Sequence, residues 1–107
     1  MLNSAAIQDV VRRVVAAARC PSRVVLFGSY ARGEAREDSD IDLIVVEKEI
    51  GDLGEEMLRL QDAIGWPGVD VDVLVYSESE FEKRKNWCST PVFWAVREGK
   101  VLYERPL

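Results

Sequence analysis

Three short apolar runs, Arg23–Phe27, Asp40–Val46 and Val69–Tyr76, lie among segments of helical periodicity, and this interleaving constrains the fold more than any other feature. Each run has strand length and is rich in Val, Ile and Leu. Ahead of them, Ile7, Val10, Val11, Val14, Val15 and Ala18 recur at helical spacing, with Asn3 or Ser4 able to cap the start and Pro21 to close the end. Leu53, Met57, Leu60 and Ile64 mark a second helix, ended by the turn Gly65-Trp66-Pro67-Gly68. Ser77 with Glu80 forms a capping box for a helix running to about Lys85. Thr90-Pro91 opens a last helix that Gly99 closes, and Val101–Tyr103 reads as an edge strand. The polar stretch Tyr30–Ser39 reads as a loop with room for one helical turn. The order α-β-loop-β-α-β-α-α-β predicts an α/β (α+β) fold in which one small mixed sheet is packed with helices. At 107 residues the whole of 1–107 is expected to be a single domain.

Composition removes several classes of chemistry. The chain has no histidine, which excludes histidine triads and imidazole acid–base catalysis. Cys20 and Cys88 are its only cysteines, too few for a zinc site and consistent with partly buried, reduced thiols in a cytoplasmic protein. A net charge of −5 disfavours direct nucleic-acid binding. No apolar run reaches the ~20 residues of a membrane span. Asp9 and Arg12-Arg13 interrupt the first segment, so it reads as part of the fold rather than a targeting peptide. Trp66, Trp87 and Trp94 read as core or turn anchors, and Lys83-Arg84-Lys85 as a solvated helix end.

Asp40 and Asp42 carry the chemical signal. Residues two apart on a strand share a face, and strands disfavour Asp. Two carboxylates ~4 Å apart repel by about 4 kcal/mol at an effective dielectric of ~20, so such a pair asks for a cation between them. The third run repeats the pattern with Asp70 and Asp72. Neighbouring strands that each carry Asp-x-Asp can bring three carboxylates to one point, a hard oxygen set suited to Mg²⁺ or Mn²⁺. Two such ions would clamp an in-line displacement at phosphorus. Gly28-Ser29 follows the first strand directly, where glycine lets a ligand approach the backbone and the serine hydroxyl can donate to phosphate. Arg32 and Arg36 lie in the same loop, where a positive charge could offset a triphosphate.

Gly28-Ser29, followed after ten residues by Asp40-x-Asp42, resembles the signature of the DNA polymerase beta-like nucleotidyltransferase superfamily. The longer string GSYARGEAREDSDIDLIVV, the segment VDVLVYSESEF and the tail VREGKVLYE resemble the minimal nucleotidyltransferases of bacteria and archaea. The resemblance implies transfer of AMP, or another nucleoside monophosphate, from ATP or another NTP, with release of pyrophosphate. By position, Asp40, Asp42 and Asp72 would be the catalytic metal ligands, with Asp70 the alternative third carboxylate. Gly28, Ser29 and Arg32 would bind the nucleotide. Family members of this size are paired with a small helical HEPN protein in toxin–antitoxin systems, which implies adenylylation of a tyrosine on that partner. Two other functions stay open: neutralising the partner by contact alone, and modifying a small molecule in the manner of aminoglycoside nucleotidyltransferases.

Overall fold

Along residues 2–105, which the computed structural model describes, the elements run α1 (Ser4–Ala17), β1 (Pro21–Phe27), α2 (Gly28–Arg32), β2 (Ile41–Glu47), α3 (Leu53–Ile64), β3 (Val71–Ser77), α4 (Glu78–Arg84), α5 (Pro91–Glu98) and β4 (Lys100–Glu104). The strands form one sheet in the order β3-β2-β1-β4. β1 pairs antiparallel with β2 and β4, whereas β2 and β3 run parallel, joined by the crossover through α3. The sheet is therefore mixed, as the element order predicts.

Strand alternation sorts the apolar residues onto two faces. Val24, Leu26, Leu43, Val45, Val73 and Val75 pack with Val10 and Val14 of α1 and with Leu60 and Ile64 of α3. Val25, Ile44 and Val46 meet Phe81 of α4 and Val92 and Ala95 of α5 on the opposite face. β2 is covered on both sides, which is why its sequence is continuously apolar rather than alternating. Each fully buried Val, Leu or Ile contributes about 1.5–3 kcal/mol relative to exposure. The helix starts are satisfied locally. Asn3, Asp52, Ser77 and Thr90 each accept a backbone N–H from the first turn that follows, worth about 1 kcal/mol apiece.

The helical turn for which the stretch after β1 has room is α2, formed because Tyr30 and Ala31 are apolar enough to be drawn into the core and closed by Gly33 at φ 73°. Two expectations are corrected. β2 begins at Ile41, so Asp40 stands just outside the ladder. Trp66, Trp87 and Trp94 are 70%, 54% and 48% exposed and are not core residues. Cys20 is half-buried and Cys88 exposed. Among the described residues no helix is long and apolar enough to cross a membrane.

Gly99 sets how closely α5 approaches β1. A methyl group there would come within 2.8 Å of the Leu26 carbonyl oxygen and Val25 Cγ1, and closer still to the Ala95 carbonyl. Backbone atoms cannot swing aside as a side chain can. Gly99→Ala should lower the free energy of unfolding by ~1–3 kcal/mol, read from chemical denaturation, with the far-ultraviolet circular dichroism unchanged.

Candidate active site

The parallel register of β2 and β3 places Asp42 directly opposite Asp72. Both share strand parity with Ile44 and Leu74, so they project from the face that α4 and α5 cover, at the end of the sheet those helices leave open. On its other side Asp42 pairs with Phe27, the last residue of β1. The chain then turns through Gly28 into α2.

Gly28 has φ 73°, a left-handed conformation that side chains disfavour. The space a Cβ would take is filled by the Asp42 carboxylate, whose Cγ would stand 3.1 Å from it. The positive φ favours glycine, and a Cβ would also push the Asp42 carboxylate aside, so the backbone of the turn lies against the Asp42 oxygens. Ser29 follows in the first turn of α2 and is half-buried.

Asp42 is pushed up from the ordinary Asp value of 3.8 to about 6. Burial is the main cause, followed by the like charges of Asp72 and Asp40, the side-chain hydrogen bond with Asp72 and, against them, the Arg32 guanidinium. Asp40 therefore acts on Asp42 from outside the strand, although it is solvent-exposed. Asp70 is exposed and lies one residue before β3; its backbone carbonyl accepts from the Ile41 N–H at 2.9 Å and opens the parallel ladder. Among the described residues no three acidic or thiol side chains stand together as a ready-made cage for an ion.

Arg32 is held by its neighbours. Its Nε donates to Glu34 at 2.6 Å, and a second nitrogen stands 3.8 Å from Glu98 of α5. These carboxylates, with Glu34 first, raise its pKa further above that of free arginine. Arg36 lies in the exposed loop beyond α2. Beside the carboxylates, Phe27, Gly28, Arg32, Pro91, Trp94 and Glu98 line an open cleft of about 540 Å³. The sequence reading did not assign Pro91, Trp94 or Glu98 to the site. An aromatic residue kept on the outer face of a short helix was the available signal for Trp94. Nothing local marks Glu98, which meets Arg32 only through the packing of α5 on α2.

The nucleotidyltransferase domain family matches residues 7–62, which include Gly28, Ser29, Asp40 and Asp42. The chain belongs to this family. Nucleotidyltransferases of the family generally use divalent metal ions. A Methanocaldococcus jannaschii protein that bears the provisional name protein adenylyltransferase is 36% identical over 85 residues, 76% of this chain and 77% of that one. A chain of a toxin–antitoxin complex solved with AMP-PNP superimposes with a TM-score of 0.60 at 25% identity, over 97% of this chain and 75% of that one. The fold is also that of a chain in the complex of a tri-AMPylated Shewanella oneidensis HEPN toxin with an MNT antitoxin, at a TM-score of 0.58 and 19% identity, over 97% of this chain and 74% of that one.

Two outcomes test this candidate site. Gly28→Ala should both strain the turn and displace the Asp42 carboxylate, abolishing transfer while costing stability; retention of full transfer would show that the turn tolerates a side chain. Without metal, the raised pKa of Asp42 means that folding takes up a proton there. Stability is lost as pH rises from the unfolded value of 3.8 through the folded value of about 6. Asp42→Asn should therefore gain on wild type across that window in EDTA, measured as a widening difference in denaturation midpoint.

Proposed function

We propose that this nucleotidyltransferase transfers AMP from ATP to a tyrosine hydroxyl of a helical HEPN partner and so acts as the antitoxin of the pair. The observation that carries the reading is the register of Asp42 against Asp72 beside a Gly28 that has no room for a side chain. The relative named for protein adenylylation supports a protein acceptor, and the likeness to a toxin–antitoxin chain solved with AMP-PNP supports the nucleotide and the pairing.

The donor set fits Mg²⁺, with Mn²⁺ as a substitute. Its oxygens are hard, and the Asp42 pKa is raised first by burial and then by the like charges of Asp72 and Asp40, the part that a cation would relieve. Asp40, Asp42 and Asp72 would hold one or two ions, the shell being completed by triphosphate oxygens and water. Bound there, the metal supplies Lewis-acid polarisation of the α-phosphate and lowers the pKa of the attacking hydroxyl.

The chain's own residues do the remaining work. Gly28 lets the triphosphate approach the turn, and the Ser29 hydroxyl donates to a phosphate oxygen. Arg32, 43% exposed at its side chain, would exchange Glu34 for the departing pyrophosphate. Asp72, exposed at the mouth of the site, accepts the proton of the acceptor hydroxyl. The acceptor oxygen forms a bond to the α-phosphorus as the bond from that phosphorus to the pyrophosphate oxygen breaks.

Incubation with labelled ATP, Mg²⁺ and a purified HEPN toxin, followed by mass spectrometry of the toxin, tests the proposal. AMP on a tyrosine is the expected product; a toxin neutralised with no adduct would overturn it in favour of inhibition by contact. Asp42→Asn should lower transfer at least ~100-fold, because charge stabilisation at phosphorus is the main catalytic contribution. Ser29→Ala removes one hydrogen bond to a charged group and should cost roughly tenfold.

A further inference from the structure

Glu47 closes β2 at the end of the strand opposite Asp42 and is 1% exposed; Glu56, in the first turn of α3, is 3% exposed. Acidic side chains are almost never this buried unless paired. The two are not treated alike. Glu56 accepts the Arg19 N–H at 3.2 Å, is ion-paired with Arg59 and sits near the positive end of the α3 dipole. Glu47 accepts only the Cys20 N–H at 3.2 Å and a long contact from the Cys20 thiol, and its Oε2 has no hydrogen-bond partner.

The groups around Glu47 do not supply a second positive charge. From α3 the charges of Glu56 and Arg59 act on it, and from the turn before β1 it meets Cys20. Its partner on β3 is Ser77, and its partner on β1 is Pro21, both uncharged. Its chain neighbours Lys48 and Glu49 are exposed, and Arg19 reaches the cluster through its backbone N–H while its side chain is exposed. Two buried carboxyl groups thus share one guanidinium. Two anions with one cation in such a place are strongly unfavourable, and a proton between the carboxyls resolves both the excess charge and the lone Oε2.

We propose that Glu47 and Glu56 form a proton-linked latch, in which protonated Glu47 donates to the Glu56 carboxylate and ties together the turn before β1, the end of β2 and the start of α3. Loss of the proton leaves two facing anions and loosens that corner. Burial first, then the hydrogen bond with Glu56, pushes Glu47 up to about 7. Burial alone would raise Glu56 as well, but its hydrogen bonds from Glu47, the Arg19 N–H and Arg59 lower it. The sign follows from Glu47. The fold binds a proton that the unfolded chain releases near 4.5, so the latch weakens as pH rises through about 7. Cys20 reports the opening directly, because its thiol donates to the Glu49 carbonyl at 3.1 Å within the same corner.

Iodoacetamide labelling of the whole chain, read separately for Cys20 and the exposed Cys88, tests the latch. The rate at the exposed Cys88 in the same sample serves as the internal reference. The ratio of the Cys20 rate to it should rise severalfold between about pH 6 and pH 8 in wild type and stay flat in Glu47→Gln, whose amide donates to Glu56 at every pH. A ratio that does not move in wild type, or that moves equally in Glu47→Gln, overturns the proposal. Infrared spectroscopy of Asp42→Asn, which lacks the other carboxyl that holds a proton near pH 6, gives a second reading. A protonated carboxyl band persisting at about pH 6 and vanishing above neutral supports the latch, and its absence at pH 6 overturns it. To separate this group from Asp42, denaturation midpoints are compared in Asp42→Asn with and without Glu47→Gln. The single variant should lose stability from pH 6 to 8 and the double variant should not; parallel losses would overturn the assignment.

Discussion

The parallel pairing of β2 with β3 is the contact on which the rest of the molecule depends. It requires the α3 crossover, which covers one face of the sheet, and it leaves β2 buried on both sides. It also fixes by register, with no freedom in side-chain choice, that Asp42 stands opposite Asp72. A slip of one residue would turn every side chain of β2 to the other face, sending Ile44 and Val46 toward α1 and α3 and moving the carboxylate off the open end. Core packing and site geometry are therefore enforced by the same hydrophobic constraint.

That coupling explains why a strand of high apolar content tolerates acids at both ends. Asp42 and Glu47 each carry a proton more readily than a free carboxyl does. At both, burial is the first cause; at Asp42 the like charges of Asp72 and Asp40 add to it, and at Glu47 the hydrogen bond with Glu56 does. Stability given up at a site of this kind is a common correlate of function. Each end of β2 thus holds an acid in a place that disfavours its charge.

Much of this was legible in the sequence, for physical reasons that differ from residue to residue. The β2 run and the spacing of Leu53, Leu60 and Ile64 carry their structure locally, because period and composition agree with the fold. The capping residues Asp52, Ser77 and Thr90 act within one turn and need no distant partner. Asp42 and Gly28 were visible because acids and glycine at the ends of apolar strands are locally unfavourable. α2 was visible only as room for one helical turn, since five residues show no periodicity and its bounds are set by the burial of Tyr30 and Ala31. Glu47 and Glu56 were hidden: an acid beyond a strand end or in a first helical turn ordinarily faces water, and only packing between distant segments buries this pair. The contact of Arg32 with Glu98 joins positions far apart in the chain and has no local trace.

The exposure of Trp66, Trp87 and Trp94 has an optical consequence. Indoles in contact with water emit at long wavelength in the folded state, so unfolding shifts the emission of this protein little, and intrinsic fluorescence is a poor gauge of its global stability. The same property makes Trp94 useful. It lines the cleft beside Gly28 and Arg32, with its Nε1 donating to the Cys88 carbonyl at 3.0 Å, and it is the tryptophan placed to sense what enters there. With Trp66 and Trp87 replaced by phenylalanine, the remaining emission becomes a direct optical readout of the cleft, independent of turnover and of any partner.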